Sequence, residues 1–431
     1  MDNSISCISH SSVSVPVANH TIPPRASAPV ELPPEIWREI AAVASAHSVL
    51  TLRQVSRDMR SAIDSIDQTN LNRINQGTDS TVDLYQSNGG VRSVTRDPAA
   101  QSVIARDENI SPALQEFFAH SNDVNVRRHL ARNPSLNSET AQEKLARDPN
   151  RRVREVLAGN HSLSSEAAQE TLAQDQYEWL REALALNPSL SSEAVQQTLA
   201  QDPNAEVRET LAYNCSLSSE AAQQTLAQDP NRRVRVALAR NRSLSSEAAQ
   251  QTLAQDPNRR VLVALAYNRS LSSETAQQTL VQNQNACLWP LARNPSLTSE
   301  AAQETLAQEQ DSEVRRSLAG NPSLSSEAAQ QILAQDQNAE VRETLAGNRS
   351  LSSEAAQQTL AQDQDTKIRR ALVRNPSLTS TVQQTLAQDP NRRVRAALPR
   401  NPGLASEATQ ALNLNRSIRM FLRRILPADR Y

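Results

Sequence analysis

An asparagine returns along this chain at near-constant spacing, at Asn133, Asn160, Asn187, Asn214, Asn241, Asn268, Asn294, Asn321, Asn348, Asn375 and Asn401. Eight of the intervals are 27 residues and two are 26, so ten repeats fill residues 133–400. A period of this size marks a stacked-repeat architecture, in which each repeat packs only on its neighbours. The repeat that starts at Asn214 reads NCSLSSEAAQQTLAQDPNRRVRVALAR. Segment 107–132 ends in VRRHLAR and reads as a degenerate repeat ahead of the array. Residues 401–431 begin as a repeat and turn into a C-terminal cap, with Ile418, Phe421, Leu422 and Ile425 as its apolar side.

Each repeat predicts two helices. In the repeat at Asn214, Ser218 is the expected N-cap of the first, because a serine hydroxyl accepts an orphan backbone N–H. Glu220 falls in the first turn, where the helix dipole favours a negative charge. Leu217, Ala221, Ala222, Thr225 and Leu226 form the expected apolar stripe at helical spacing. Asp229 is the expected cap of the second helix, with Pro230 at its first position and Val234 and Leu238 pointing inward. Asn241 then ends that helix, in the left-handed conformation that asparagine tolerates at a C-cap. One such hairpin buries too little to fold alone, so stacking must supply the stability. The expected fold is all-α: an elongated α-solenoid of two-helix repeats spanning 107–431.

Composition removes most alternatives. Seven glycines in 431 residues leave no glycine-rich phosphate loop. Aromatic residues at 3% argue against a sandwich or barrel. Cys7, Cys215 and Cys287 are too far apart for a disulfide framework or a zinc site, so no metal is expected. No apolar run is long enough to predict a membrane span. None of the histidines has ligand spacing, and no serine or cysteine has a catalytic context, so the chain is not expected to be an enzyme. A net charge of −2 gives no general reason to expect nucleic acid as a partner.

The pattern NPSLSSEAAQQTLAQDPNRRVRVALARN resembles the leucine-rich repeat variant, a bacterial solenoid of alternating α- and short 3₁₀-type helices, and its DPNRRVRVAL half is similar to the second helix of HEAT repeats. The resemblance covers about 107–420. Some members of that family carry a cysteine-ligated iron–sulfur cluster. The cysteines for it are missing here, so no cofactor is expected.

Positions that vary between repeats can bind. Arg154, Arg208, Arg235 and Arg342 recur and are expected to pair with acids such as Glu220 or Asp229 within a layer or across to the next. The varying positions lie at the start and end of the second helix, where residues at helical spacing share a face. They carry Trp179, Tyr213, Arg233, Arg240, Arg260, Tyr267 and Trp289, and aromatic and arginine side chains are frequent hot spots of protein interfaces. The expected use of this strip is to bind a target protein, with no small-molecule substrate. Its charge alternates, from Arg232–Arg242 to Glu313 and Glu340, which disfavours a nucleic-acid groove.

Upstream of the array, residues 31–66 read ELPPEIWREIAAVASAHSVLTLRQVSRDMRSAIDSI. Taken by themselves they predict a helical hairpin capping the solenoid. They also resemble the F-box, through Leu32-Pro33, Glu35, Ile36, Ile40, Leu50, Leu52, Val55, Ser56, Arg57 and Arg60; Met59 replaces the tryptophan of that motif. The resemblance implies docking on the Skp adaptor of a cullin–RING (SCF) ubiquitin ligase, with the repeats selecting the target. Segment 67–106 fits a linker and a degenerate first layer. Residues 1–30 hold seven serines and one acid, and resemble a type III secretion signal. The combination is similar to F-box effectors that bacteria secrete into the host cytoplasm or nucleus. The alternative is a repeat scaffold or nucleic-acid-binding solenoid with a plain N-terminal helical cap.

Overall fold

The computed structural model describes residues 101–403 apart from 103, 104, 107, 109, 111, 285, 287 and 402. They fall into two compact bodies divided between Ser219 and Glu220. Among the described residues every regular element is helical. The N-terminal body contains Pro112–Ala119 and Val124–Arg132, so the degenerate segment is built as a repeat, then the pairs Glu139–Ala146 with Arg151–Ala158, Glu166–Ala173 with Glu178–Leu186, and Glu193–Ala200 with Ala205–Tyr213. The C-terminal body continues the pattern from Glu220–Ala227 and Arg232–Arg240 to Ser380–Ala387 and Arg392–Ala397. First helices lie on first helices and second helices on second helices, as Glu139–Ala146 does on Glu166–Ala173 and Arg151–Ala158 on Glu178–Leu186. This is the helical-repeat solenoid that the period predicts.

The leucines and valines of the pattern form the core: Leu244, Leu253, Val261 and Leu265 are buried, each such side chain contributing about 1.5–3 kcal/mol. Several local expectations are corrected. Both helices of the repeats are α-helices; Leu398–Arg400 is 3₁₀, but the second helices are not. The first-helix cap is the second serine of the pair: Ser246 accepts from Ala249 N at 3.3 Å, whereas the Ser218 N–H donates to Gln196 Oε1 at 2.9 Å. The second helix starts later than expected, at Arg232. Asn231 caps it by accepting from Arg233 N, and Asp229 turns the chain by accepting from Asn231 N. Asn241 ends that helix with φ −67° and ψ 125°, an extended conformation, not a left-handed one. Ala221 is exposed, and the side chain buried in its place is Gln223.

The reason for the last two corrections is the same. The turns between helices leave backbone groups unpaired inside the stack, and polar side chains from the adjacent repeat satisfy them. Gln142, fully buried, accepts from Ser164 N and Ser165 N at 2.9 and 2.8 Å, and donates to Leu136 O and Ser162 O at 2.8 and 2.9 Å. Gln250 makes the same clasp on Leu244, Ser270, Ser272 and Ser273. At Gln169 the donor half forms, to Leu163 O and Ser189 O, and Oε1 has no partner. The repeating asparagine does parallel work on the second helices. Asn187 Nδ2 donates to Ala158 O and Asn160 O at 2.7 and 2.8 Å, and its Oδ1 accepts from Ser189 N. The Ala158 carbonyl belongs to the last turn of the preceding second helix, so each repeat caps the one before it.

A third tie is ionic. Arg154 Nε donates to Asp175 at 2.5 Å while its Nη1 donates to the Asp148 carbonyl at 2.7 Å, so one guanidinium spans two turns. Arg235 with Asp256, Arg315 with Asp336, Arg342 with Asp363 and Arg369 with Asp389 repeat the pairing. The acid is therefore of the Asp229 class, one layer on, and not of the Glu220 class. For Asp336 burial by itself would push the carboxyl up. The Arg315 hydrogen bond, the Asn338 N–H and the charges of Arg315 and Arg342 outweigh it and hold the carboxyl below its ordinary value.

Two outcomes test these ties. Gln250→Leu leaves those backbone groups of Leu244, Ser270, Ser272 and Ser273 unpaired and is expected to cost about 2–4 kcal/mol. Gln255→Leu, at an exposed site, should stay within about 0.5 kcal/mol in the same chemical denaturation series. Asp336→Asn is expected to cost about 2 kcal/mol at neutral pH, less than a fully buried pair because Arg315 keeps its bond to the Glu309 carbonyl. Because the folded-state pKa is depressed, this contribution is present above the ordinary carboxylate range and lost as pH falls below that range and through the depressed folded-state value. The stability gap between wild type and variant, followed by melting from pH 7 downward, should therefore close at acid pH.

Candidate protein-binding surface

The second helix of each repeat carries its variable residues at positions that share one face. Arg233 and Arg240 lie at opposite ends of Arg232–Arg240, and Arg260 and Tyr267 occupy the same places on Arg259–Tyr267. In an α-helix, residues seven apart return to nearly the same angle, so each pair forms a line along its helix. The inward side of the same helices is set by Val234 and Leu238, or Val261 and Leu265. Burial of that side forces the arginines and Tyr267 outward: Arg233, Arg240 and Arg260 are exposed, and Tyr267 is 57% exposed.

In the C-terminal body two of the sequence-predicted residues, Tyr267 and Trp289, meet. The rings of Tyr267 and Trp289 meet edge to face, with centroids 6.2 Å apart at 74°. Arg293 lies over Trp289 with its guanidinium carbon 5.7 Å from the centroid. Trp289 sits on the short helix Leu288–Ala292, in the repeat that is one residue shorter than its neighbours and has NQN in place of DPN. The arginine–aspartate ladder breaks here. Leu262 stands where Arg235 stands one repeat earlier, and the expected aspartate is Asn283, which donates to Ala254 O instead. One repeat on, Leu288 and Glu309 replace the next arginine and aspartate. In the first of these rungs both charges are gone, so none is left unpaired in a half-buried site; in the second the acid stays, as Glu309, opposite a leucine.

Trp179 and Tyr213 belong to the N-terminal body. Trp179 is half-buried against Tyr177, with centroids 5.4 Å apart and the rings inclined by 31°. The Arg151 guanidinium lies 5.8 Å from the Tyr177 ring and 5.9 Å from that of Trp179. Tyr213 is 39% exposed and Leu186 54%. Tyr177 was not singled out by the sequence reading. The signal was available, since it occupies the N-cap position held elsewhere by asparagine or aspartate and makes no side-chain cap bond. The F-box-like residues Leu32, Pro33, Glu35, Ile36, Ile40, Leu50, Leu52 and Val55 lie outside the described residues, as do segments 1–30 and 67–100 and nearly all of the cap 401–431. Among the described residues, no group of three or more His, Cys, Asp or Glu side chains is placed to hold a metal ion. No helix among them is long and apolar enough to cross a membrane.

No family model matches the chain, and no curated protein matches it in sequence. Among solved structures it is similar to a computationally designed armadillo repeat protein for modular peptide recognition, at 16% identity over 71% of this chain and 94% of that one, with a TM-score of 0.10. An engineered protein aligns at 15% identity over 85% of this chain and 93% of its own, with a TM-score of 0.17. A designed armadillo repeat protein in complex with a (KR)4 peptide aligns at 12% identity over 76% and 95%, with a TM-score of 0.10. Superposition at this level is too loose to define a shared fold, and the helical pairs themselves define the solenoid.

The exposed arginine pairs do not serve the stability of the stack. Arg232-Arg233 and Arg259-Arg260 occupy first turns, where the helix dipole disfavours positive charge; other repeats place Glu178, Glu206, Glu313 or Glu340 there. Arg233→Glu and Arg260→Glu are therefore expected to raise stability by about 0.5 kcal/mol each at low salt. A structural role for these guanidiniums would give a loss in the same denaturation experiment.

Proposed function

We propose that this chain is a target-binding receptor that performs no chemistry of its own. The observation that carries the reading is the exposed strip of arginine and aromatic side chains that the second helices present while their valines and leucines hold the core. Aromatic and arginine side chains are the frequent hot spots of protein interfaces. Repeats that stack side by side extend the strip beyond what one helix offers.

The finer part of the proposal rests on sequence. On the pattern from Leu32-Pro33 to Arg60, segment 31–66 docks as an F-box on the Skp adaptor of a host SCF ubiquitin ligase, with Leu32, Pro33, Ile36 and Ile40 as apolar anchors. The repeats then hold the target near the ligase. The serine-rich segment 1–30 supports the reading of a protein that a bacterium secretes into a host cell. Pull-down of the full chain with a purified Skp adaptor, beside Leu32→Ala with Pro33→Ala, tests the docking. Adaptor retained by wild type and lost from the double variant is the expected result. Equal background binding by both would remove the ligase role and leave a repeat scaffold.

A further inference from the structure

The target surface in the C-terminal body has a chemistry that its neighbours lack. The three successive second helices Arg232–Arg240, Arg259–Tyr267 and Leu288–Ala292 contain no acidic residue. They carry Arg232, Arg233, Arg240, Arg259 and Arg260, with Arg293 just beyond, and all six are exposed. Among the described residues none of these guanidiniums makes an ion pair, and Arg293 has the Trp289 ring as its contact. The next second helices differ. Exposed Glu313, Glu340 and Glu343 appear there, and Arg316 is neutralised by Glu313 at 2.6 Å and Glu340 at 3.4 Å. The positive field is thus short and bounded on that side. At its edge stand the exposed Tyr267 and the half-buried Trp289.

We propose that this strip holds an extended acidic segment of the target protein, with carboxylates facing the arginine pairs and an apolar side chain against Tyr267 and Trp289. The inference rests on the reading of the repeats as a target surface and adds the chemistry of the partner. Packed helices lie about 8–10 Å apart. An extended peptide advances about 3.3 Å per residue, so carboxylates at about every third residue match successive arginine pairs. A guanidinium takes a carboxylate through paired N–H donors, which rewards that register. A nucleic-acid strand, with continuous charge, would run from this patch onto Glu313, Glu340 and Glu343.

The test uses the full chain and fluorescein-labelled peptides of about ten residues, read by anisotropy. One peptide repeats Glu-Ser-Leu, a second repeats Lys-Ser-Leu, a third has the composition of the first with its glutamates contiguous, and a single-stranded DNA of equal charge is the fourth probe. The spaced Glu peptide is expected to bind most tightly and to weaken as salt rises. Arg233→Glu with Arg260→Glu should lower its affinity about tenfold or more, and the glutamine pair at the same positions should fall between. Lys144→Glu, on an exposed part of a first helix, should leave binding unchanged. Circular dichroism of each variant reports the fold. The proposal is overturned if the Glu peptide binds no better than the contiguous or Lys peptide, if DNA binds more tightly, or if the folded double variant keeps full affinity. A Lys peptide that binds, and binds better after charge reversal, would overturn only the chemistry and leave the strip as a target surface. Adaptor docking through residues 31–66 is read separately in the pull-down.

Discussion

What the stack depends on is the pairing of turn backbone by buried side chains from the adjoining repeat. A helical hairpin of this size exposes orphan N–H and C=O groups at four helix ends, and stacking would bury many of them dry. Gln142, Gln250 and their equivalents supply both a donor and an acceptor to these groups, with the amide fully buried. The asparagines supply a C-cap to the second helix of the preceding repeat. The acceptor half of the glutamine clasp, its bond to the next repeat's serine carbonyl and the asparagine C-caps exist only between repeats, so a hairpin in isolation lacks them as well as its apolar contacts. Association and hydrogen-bond satisfaction are therefore the same event, and this is why the array is built of near-identical copies.

The arginine–aspartate rungs add a charged layer to that scheme, and their interruption coincides with the aromatic cluster. Between Arg235–Asp256 and Arg315–Asp336, two rungs are replaced by Leu262 with Asn283 and by Leu288 with Glu309. In the same stretch the second helix shortens to Leu288–Ala292, and Tyr267, Trp289 and Arg293 come together. A repeat relieved of the ionic register can accept a shortened helix with Pro290, whose missing N–H falls in a first turn where no intrahelical partner is needed. The strip and its scaffold are thus specialised at one place by different residues.

Much of the fold was legible because helical spacing is local. The period, the leucines of the first helix and the Val–Leu spacing of the second decide which faces are apolar, and those faces are buried. The variable positions were also legible, since a residue that changes from arginine to tyrosine to glycine between repeats is not fixed by packing. The polar roles were harder to read. Ser218 and Ser219 are chemically equal, and so are Asp229 and Asn231 as potential caps. The choice between them depends on which one the preceding layer engages: Gln196 Nε2 donates to Ser218 Oγ, and Arg315 takes Asp336 rather than Asn338.

The sequence by itself determined a helical repeat, its period and its variable arginine positions, because each follows from residue type and spacing along one chain. Tertiary structure alone decided that Gln223 is interior while Ala221 faces water, that the asparagines are extended, and that the aspartates belong to arginines one layer back. It also brought Tyr267 to Trp289. The physical reason is distance along the chain: these partners are 20 or more residues apart and meet only when one repeat lies on the next.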